Sequence, residues 1–407
     1  MRRSSRQAAP EVTCAVCGAD LKSLDEAGRT QHVNRCLDRA EKDSRKRSAA
    51  SDARAAAAPA PKRQAAARPA RKPPVPPVGA QAAAAPTAEG PENNVAGYAA
   101  RLRQDVEYGV CGLKEKRESA QVVQRKAARL AELLRLHKGR VWCCTGAGIS
   151  TSVGLPDFRG PHGIWTKQQQ EQGKLKAPEG APAAPALASS FGAVRPSYTH
   201  HALTALVKAG YINHIATQNV DGLHRRAAAP LDKLSELHGN VCLEVCTKCD
   251  AEYHRDDDVG GVGLRPTGRS CAACGGTLRD HVLDWDDALP KAHVRRTERR
   301  ARKATMAIAL GTSLRIKPVG DMPLLSLGWE WPADDDDAEG DEDDTEDYGE
   351  ESSEEEEEAL KPEEAGGPKR ELVIVNLQRT PLDKHCTLRF HIEVRRLEFD
   401  LLRCQRC

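Results

Sequence analysis

Apolar residues in this chain gather into short bursts instead of spreading evenly. Val141-Trp142-Cys143-Cys144 is one such burst and reads as the end of a buried strand. Ile212 to Thr217 is a second, and "ATMAIALGTSLRIKP" and "ELVIVNLQ" hold two more. Each burst runs into small polar residues. The first opens into "CCTGAGISTSVGLPDFRGPHGIW" (143–165), the others into Gln218-Asn219-Val220-Asp221, Gly311-Thr312-Ser313 and Asn376-Leu377-Gln378. Strands that end this way, separated by helical stretches, predict an α/β fold with a parallel sheet and a nucleotide at its carboxyl edge. The glycine-rich turn would be the phosphate end of that crevice. Glycines let backbone N–H groups approach an anion, and a helix beginning near Ser150 would aim its positive end there. Gly146 and Gly148 alone do not separate this from an ordinary strand-to-helix turn.

Between the bursts the composition changes abruptly. Of 407 residues, 39% are hydrophobic and 4% aromatic, less than a fully packed chain of this length carries. Residues 41–95 centre on "AAAAPAPKRQAAARPARKPPVPP", which cannot bury a core and reads as a disordered basic linker. Residues 328–370 are its acidic counterpart and read as a disordered insertion. The remainder of 96–403 has the size of one large domain or a two-lobed enzyme. The strand ending at Gly311 is followed by "RIKPVGDMPLLSL", expected as a crossover helix that returns the chain to the opposite sheet edge. The acidic insertion should therefore leave from the amino edge, away from the crevice.

Charge sharpens this division. The net charge of +2 hides residues 334–358, which hold 18 of the 59 acidic residues and no Lys or Arg. Outside that block 61 basic residues face 41 acidic ones, so the body carries +20. Such a surface suits nucleic acid or another polyanion without sequence specificity. No apolar run approaches about 18 residues, so a membrane-spanning helix is not expected. The N-terminus has no apolar signal region, and Arg45-Lys46-Arg47 and Lys62-Arg63 suit nuclear import better than a transit peptide.

The 14 cysteines favour metal or redox roles over disulfides. Cys246 and Cys249, then Cys271 and Cys274, form two CxxC pairs whose spacing matches a closed four-thiolate zinc site within a module of about 240–285. A closed site shapes its module and does not act on substrate. Within residues 11–40, Cys14 and Cys17 form another knuckle, and His32 and Cys36 fall four apart on an expected helix, where both can reach one metal. This segment resembles the Cys-Cys-His-Cys ubiquitin-binding fingers of DNA-repair proteins, which implies ubiquitin or DNA as a partner.

The motifs "TGAGISTSVGLPDFRG", "TQNVDGLH", "ELHGN", "GTSLRIKP" and "VIVNLQ" stand in the order seen in the sirtuins, the NAD-dependent protein deacylases. "DFRGPHGIWT", "CGLKEK" and "LDWDDALP" resemble the class IV branch, which is nuclear and acts on chromatin. The resemblance implies a Rossmann-like lobe and a smaller zinc-bearing lobe, with NAD and acyl-lysine meeting between them. It implies that Ala147, Gly148, Thr151, Asp157, Phe158, Arg159 and Trp165 line the pyrophosphate and nicotinamide side. Gln218, Asn219 and Asp221 would hold the nicotinamide ribose and amide. Gly311, Thr312, Ser313, Asn376, Gln378 and Val394 would hold the adenosine half, and His238 matches the catalytic base.

The implied reaction makes chemical sense of His238, whose near-neutral pKa would let it take a proton from a ribose hydroxyl. Acylated lysines of histones are the implied substrates. Protein mono-ADP-ribosyl transfer would use the same NAD site with another acceptor, and a chromatin adaptor working through the N-terminal finger would need no chemistry at all. Residues 167–190, rich in Ala and Pro, form a longer substrate-side loop than the family's, a departure that bears on substrate preference.

Overall fold

Five consecutive buried residues, Val141–Thr145, form β1, as expected of a strand covered on both faces. Alternate side chains go opposite ways: Val141 and Cys143 join one apolar cluster, Trp142 and Cys144 another. The computed structural model describes residues 95–176, 188–330 and 368–394, together with Ala19. The expected finger at Cys14, Cys17, His32 and Cys36, nearly all of the 41–95 linker and the acidic run 334–358 lie outside the described residues.

Two helices, α1 (Val95–Arg101) and α2 (Ala120–Leu136), precede β1. They are followed by α3 (Ile164–Glu171), α4 (Tyr198–Lys208), β2 (Ile212–Thr217), α5 (Leu223–Arg226) and β3 (Leu234–Glu236). Strands β4 (Leu243–Cys246), β5 (Glu252–His254), β6 (Pro266–Ser270) and β7 (Thr277–Asp280) build a separate antiparallel sheet in the order β5-β4-β7-β6. The chain returns through α6 (Lys291–Lys303) to β8 (Met306–Leu310), β9 (Glu371–Val375) and β10 (Leu388–Phe390).

The six-stranded sheet runs β10-β9-β8-β1-β2-β3, with every pair parallel. From β1 the chain steps outward to β2 and β3, and from β8 the other way to β9 and β10. The loops after β1 and β8 therefore diverge, leaving the crevice where doubly wound sheets bind ligands. Helix α2 buries Val123, Ala127, Leu130 and Leu134, a helical stripe against one face of this sheet.

Two expected helices take another form. The stretch after Gly311 is a 3₁₀ segment, Val319–Leu327, with Pro323 inside it. Proline has no N–H to give an α-helical ladder, so the turn tightens instead. Its apolar side chains Val319, Met322 and Leu325 still cover the second sheet face. The segment after β1 likewise forms two single 3₁₀ turns, Ala147–Ile149 and Thr151–Val153, where a helix from Ser150 was expected. The stems of the acidic insertion do sit at the amino edge. Arg370, just ahead of β9, donates to the carbonyls of Ala304 (3.2 Å), just ahead of β8, and Ser326 (2.6 Å), near the end of the 3₁₀ segment.

One buried ion pair ties β3 to α5. Arg225 Nε donates to Glu236 Oε2 at 2.6 Å, and Asn240 donates to the other carboxylate oxygen at 2.8 Å. Glu236 is 2% exposed, so losing its cation leaves a buried charge uncompensated. Arg225→Met is expected to destabilise the fold by about 3 kcal/mol in urea titrations, with part of the loss recovered by adding Glu236→Gln.

Candidate active site and zinc centre

The glycines after β1 serve backbone packing. Gly146 and Gly148 donate their N–H groups to the carbonyls of Leu310 (3.0 Å) and Gly311 (2.8 Å) across the switch point. A Cβ on Gly148 would stand 2.7 Å from Gly311 Cα, so only glycine allows this approach. The expectation that these two amides would face a phosphate is thus corrected: they bond the end of β8 and the turn after it. Positive charge enters from side chains instead. Arg159 and Arg315 both line the cavity at the crevice. Burial, with smaller help from Arg315, pushes the Arg159 guanidinium down to about 10, so it stays charged at neutral pH.

The cavity holds about 780 Å³, within the usual range for ligand sites. Its walls include Ala147, Gly148, Asp157, Phe158, Arg159, Trp165, Gln218, Asn219, Asp221, His238, Gly311, Thr312, Ser313, Asn376 and Gln378. Thr151 and Val394 are not among them. Thr151 is exposed and donates to the Gly148 carbonyl, while Val394 is buried in the cluster with Phe390.

Several polar residues owe their positions to one another. Asn219 donates to the Gly146 carbonyl at 3.2 Å, holding the β2 loop to the β1 loop. Asp221 receives the Ser150 hydroxyl at 2.7 Å and the Leu223 N–H at 2.9 Å. Burial raises the Asp221 carboxyl above its ordinary value, opposed by these hydrogen bonds. Gln218 Nε2 donates to Thr312 Oγ1 at 3.2 Å, a side-chain bond across the switch point. Gln378 Nε2 donates to the Leu113 and Arg159 carbonyls and so clamps the loops beyond β9.

His238 follows β3 on a turn that only glycine permits. Gly239 has φ +90°, and a Cβ there would meet the His281 carbonyl oxygen at 1.7 Å. His238 Nδ1 lies 3.1 Å from the Gln218 carbonyl oxygen. A carbonyl only accepts, so Nδ1 carries the hydrogen and Nε2 is the basic nitrogen. Among the described residues nothing hydrogen-bonds Nε2, although the residue lines the cavity. Burial pushes the imidazole down to about 4, against the raising effect of the Gln218 bond. The near-neutral value expected from the residue type is therefore corrected: the imidazole is neutral throughout the physiological range.

An aromatic wall closes the cavity near Arg159. Trp165 stacks on Tyr108 with centroids 5.1 Å apart at 4°, and Trp285 leans on it at 5.2 Å. Arg159 lies 4.3 Å above the Trp165 ring, a cation–π contact. Of this group the sequence motifs single out only Phe158, Arg159 and Trp165. Tyr108, Trp285 and Arg315 arrive from distant segments, although Trp285 lies within "LDWDDALP" and Arg315 within "GTSLRIKP".

The four thiols Cys246, Cys249, Cys271 and Cys274 come together in the small sheet, all Sγ atoms within 4.8 Å of one another. Their hydrogen-bond-range contacts run from 3.3 to 3.6 Å. Zn–S bonds of about 2.3 Å in a tetrahedron place sulfurs about 3.8 Å apart, so this set fits one zinc ion. It is the one cluster of this kind among the described residues.

Cys271→Ser should lower the zinc content of the full chain by one equivalent and loosen the small sheet, as metal analysis and thermal denaturation would show. With ring-labelled histidine, the His238 resonance, assigned by its loss in His238→Gln, should not titrate above about pH 5. A midpoint near 6.5 would contradict the burial argument.

The model of the Sir2 family matches residues 146–318, from the β1 glycine turn to the loop after β8. The chain is 39% identical over 297 residues to the NAD-dependent protein deacetylase SRT1 of Arabidopsis thaliana, covering 72% of this chain and 52% of that one. It is 38% identical to the NAD-dependent protein deacetylase Sirt6 of Drosophila melanogaster (56% and 72%) and 39% identical to sir-2.4 of Caenorhabditis elegans (56% and 77%). The chain spans about half the length of its plant relatives. With a parallel sheet, a four-thiolate module and a crevice lined by the same motifs, the chain belongs to the Sir2 family of proteins.

Proposed function

We propose that this protein is an NAD-dependent protein-lysine deacylase, releasing nicotinamide and passing the acyl group to ADP-ribose. The observation that carries the reading is His238, a neutral base pinned through Nδ1 with Nε2 unpartnered at the cavity. NAD, when bound, supplies an electrophilic ribose carbon on loss of nicotinamide, which the acyl oxygen of the substrate lysine attacks.

The protein's residues account for the rest. His238 Nε2 takes a proton from a ribose hydroxyl, and the fixed tautomer gives it no competing proton to donate there. Gln218, Asn219 and Asp221 converge from the β2 loop on the same cavity and orient the nicotinamide ribose and amide. Arg159 and Arg315 offer the pyrophosphate two cations whose repulsion an anion relieves. Trp165, Tyr108 and Trp285 exclude water beside them. Asn376 and Gln378, on the far side of the switch point, face the adenosine half.

The motifs "DFRGPHGIWT" and "LDWDDALP" support a class IV assignment, acylated histone lysines as substrates and a nuclear location. Basic segments of the chain suit DNA or nucleosomes, and the Cys14–Cys36 finger, with its own zinc, suits ubiquitin or DNA. Among the described residues no helix is long and apolar enough to cross a membrane.

Incubation with NAD and acylated histone peptides, resolved by mass, is expected to yield free nicotinamide and O-acyl-ADP-ribose. A mass gain on protein without deacylated peptide would point to ADP-ribosyl transfer. His238→Ala should lower turnover by about 10²–10⁴-fold while NAD binding stays measurable by calorimetry, because the imidazole moves a proton and does not anchor the cofactor.

A further inference from the structure

Helix α6 carries a feature that the catalytic reading does not use. Its sequence, KAHVRRTERRARK, holds seven cations and one carboxylate. Thr297 and Ala301 are fully buried, with Ala301 in the cluster that covers the second sheet face. Arg295, Arg299, Arg302 and Lys303 are all exposed on the other side. Positions i, i+4, i+7 and i+8 share one helix face, so these four charges form a stripe about 12 Å long. Among the described residues none of the four is ion-paired. Like charges at this spacing repel, which destabilises the helix unless an anion lies over them.

The stripe ends where the acidic insertion begins. Arg370, at the end of the insertion, donates to the carbonyl of Ala304, the residue that caps α6. The same guanidinium donates to the carbonyl of Ser326, four residues ahead of Glu330, where the chain leaves the described region. Both stems thus meet beside the last turn of α6, which carries Arg300, Arg302 and Lys303. At about 3.5 Å per residue, Asp334 lies no more than about 14 Å of chain from Glu330. Residues 334–358 then bring 18 carboxylates and no cation.

We propose that the exposed face of α6 is the docking surface for the chain's own acidic segment, residues 334–358. The tether favours this occupant. Two ends fixed beside the stripe hold the segment at an effective concentration of about millimolar, which an unlinked anion must exceed to displace it. Contact is electrostatic and therefore weakens as salt screens it. Its consequence is that α6 is withheld from other polyanions, nucleic acid foremost, until salt or a denser phosphate array displaces the segment.

The test uses the full chain at about 50 mM salt, with a carbodiimide to join lysine amines to adjacent carboxylates and peptide mass mapping of the links. Lys303 is expected to link to a residue of 334–358, and the link should vanish at about 0.5 M salt. Links from 334–358 only to lysines such as Lys46 or Lys62, or none at low salt, would overturn the assignment. So would links joining heavy to light chains in an isotope-mixed sample. Independently, deleting 334–358 should tighten binding of a random-sequence duplex DNA at least tenfold at low salt. Arg295→Glu, Arg299→Glu and Arg302→Glu together should remove that gain in the deleted chain. If the deletion leaves DNA affinity unchanged while the triple variant weakens it in the full chain, α6 faces nucleic acid unmasked and the proposal fails.

Discussion

The contact on which the site depends is the approach of two backbones, the turn after β1 and the turn after β8. The N–H of Gly148 donates to the carbonyl of Gly311, and the place of a Gly148 Cβ is filled by Gly311 itself. Because the strands step apart in opposite directions from this point, the bond fixes the floor of the crevice. Asn219 then reaches the Gly146 carbonyl, and Gln218 reaches Thr312 on the other side of the switch. A side chain at Gly148 would have to push the two turns apart, and those side-chain bonds would lengthen with them. The fold thus spends its flexible residues on closing the sheet edge and leaves anion attraction to guanidiniums.

That choice has an electrostatic logic. Arginine keeps its charge in a half-buried wall, whereas an imidazole in the same surroundings loses it. Arg159, even pushed down to about 10, remains a cation, while His238, pushed down to about 4, remains a base. One desolvated cavity therefore holds a fixed positive charge and a proton acceptor within the same walls. The acceptor's orientation is set from behind. Glu236, paired with Arg225 and Asn240, anchors the end of β3, and Gly239 turns the chain immediately beyond the imidazole. The buried pair acts on position, and in the proposed reaction the proton transfer falls to the imidazole.

Much of this was legible in the sequence, for particular reasons. Ile212 to Thr217 is apolar enough to read as a strand, and its bounds in the structure are the same. The two CxxC pairs needed only spacing to be read as one site, and their thiols do converge. Motif order carried most of the cavity-lining residues, since a parallel sheet brings the ends of its strands together. What was not legible depends on neighbours distant in sequence. Val394, carried over as a cofactor contact, packs in the core, and Tyr108 enters the aromatic wall from a segment with no strand to announce it. The two missed 3₁₀ stretches have local causes, prolines in one and a glycine-bound turn in the other. The near-neutral pKa assigned to His238 failed because burial, which no residue type displays, dominates it.

The same topology that gathers the chemistry also keeps it apart from the most charged part of the chain. A parallel crossover must return to the amino edge before the next strand begins, so an insertion placed between the 3₁₀ segment and β9 departs from the edge opposite the crevice. Arg370, bonded to Ala304 and Ser326, closes the gap between its stems and lets β9 start in register with β8 as though the insertion were a short loop. A long acidic run at the carboxyl edge would repel an anionic cofactor and compete for Arg159 and Arg315. At the amino edge its stems lie beside the last turn of α6, where the C-terminal carbonyls of the helix stabilise the cations Arg300, Arg302 and Lys303. The position of its stems, more than its composition, sets this run of 18 carboxylates off from a cavity lined by Arg159 and Arg315.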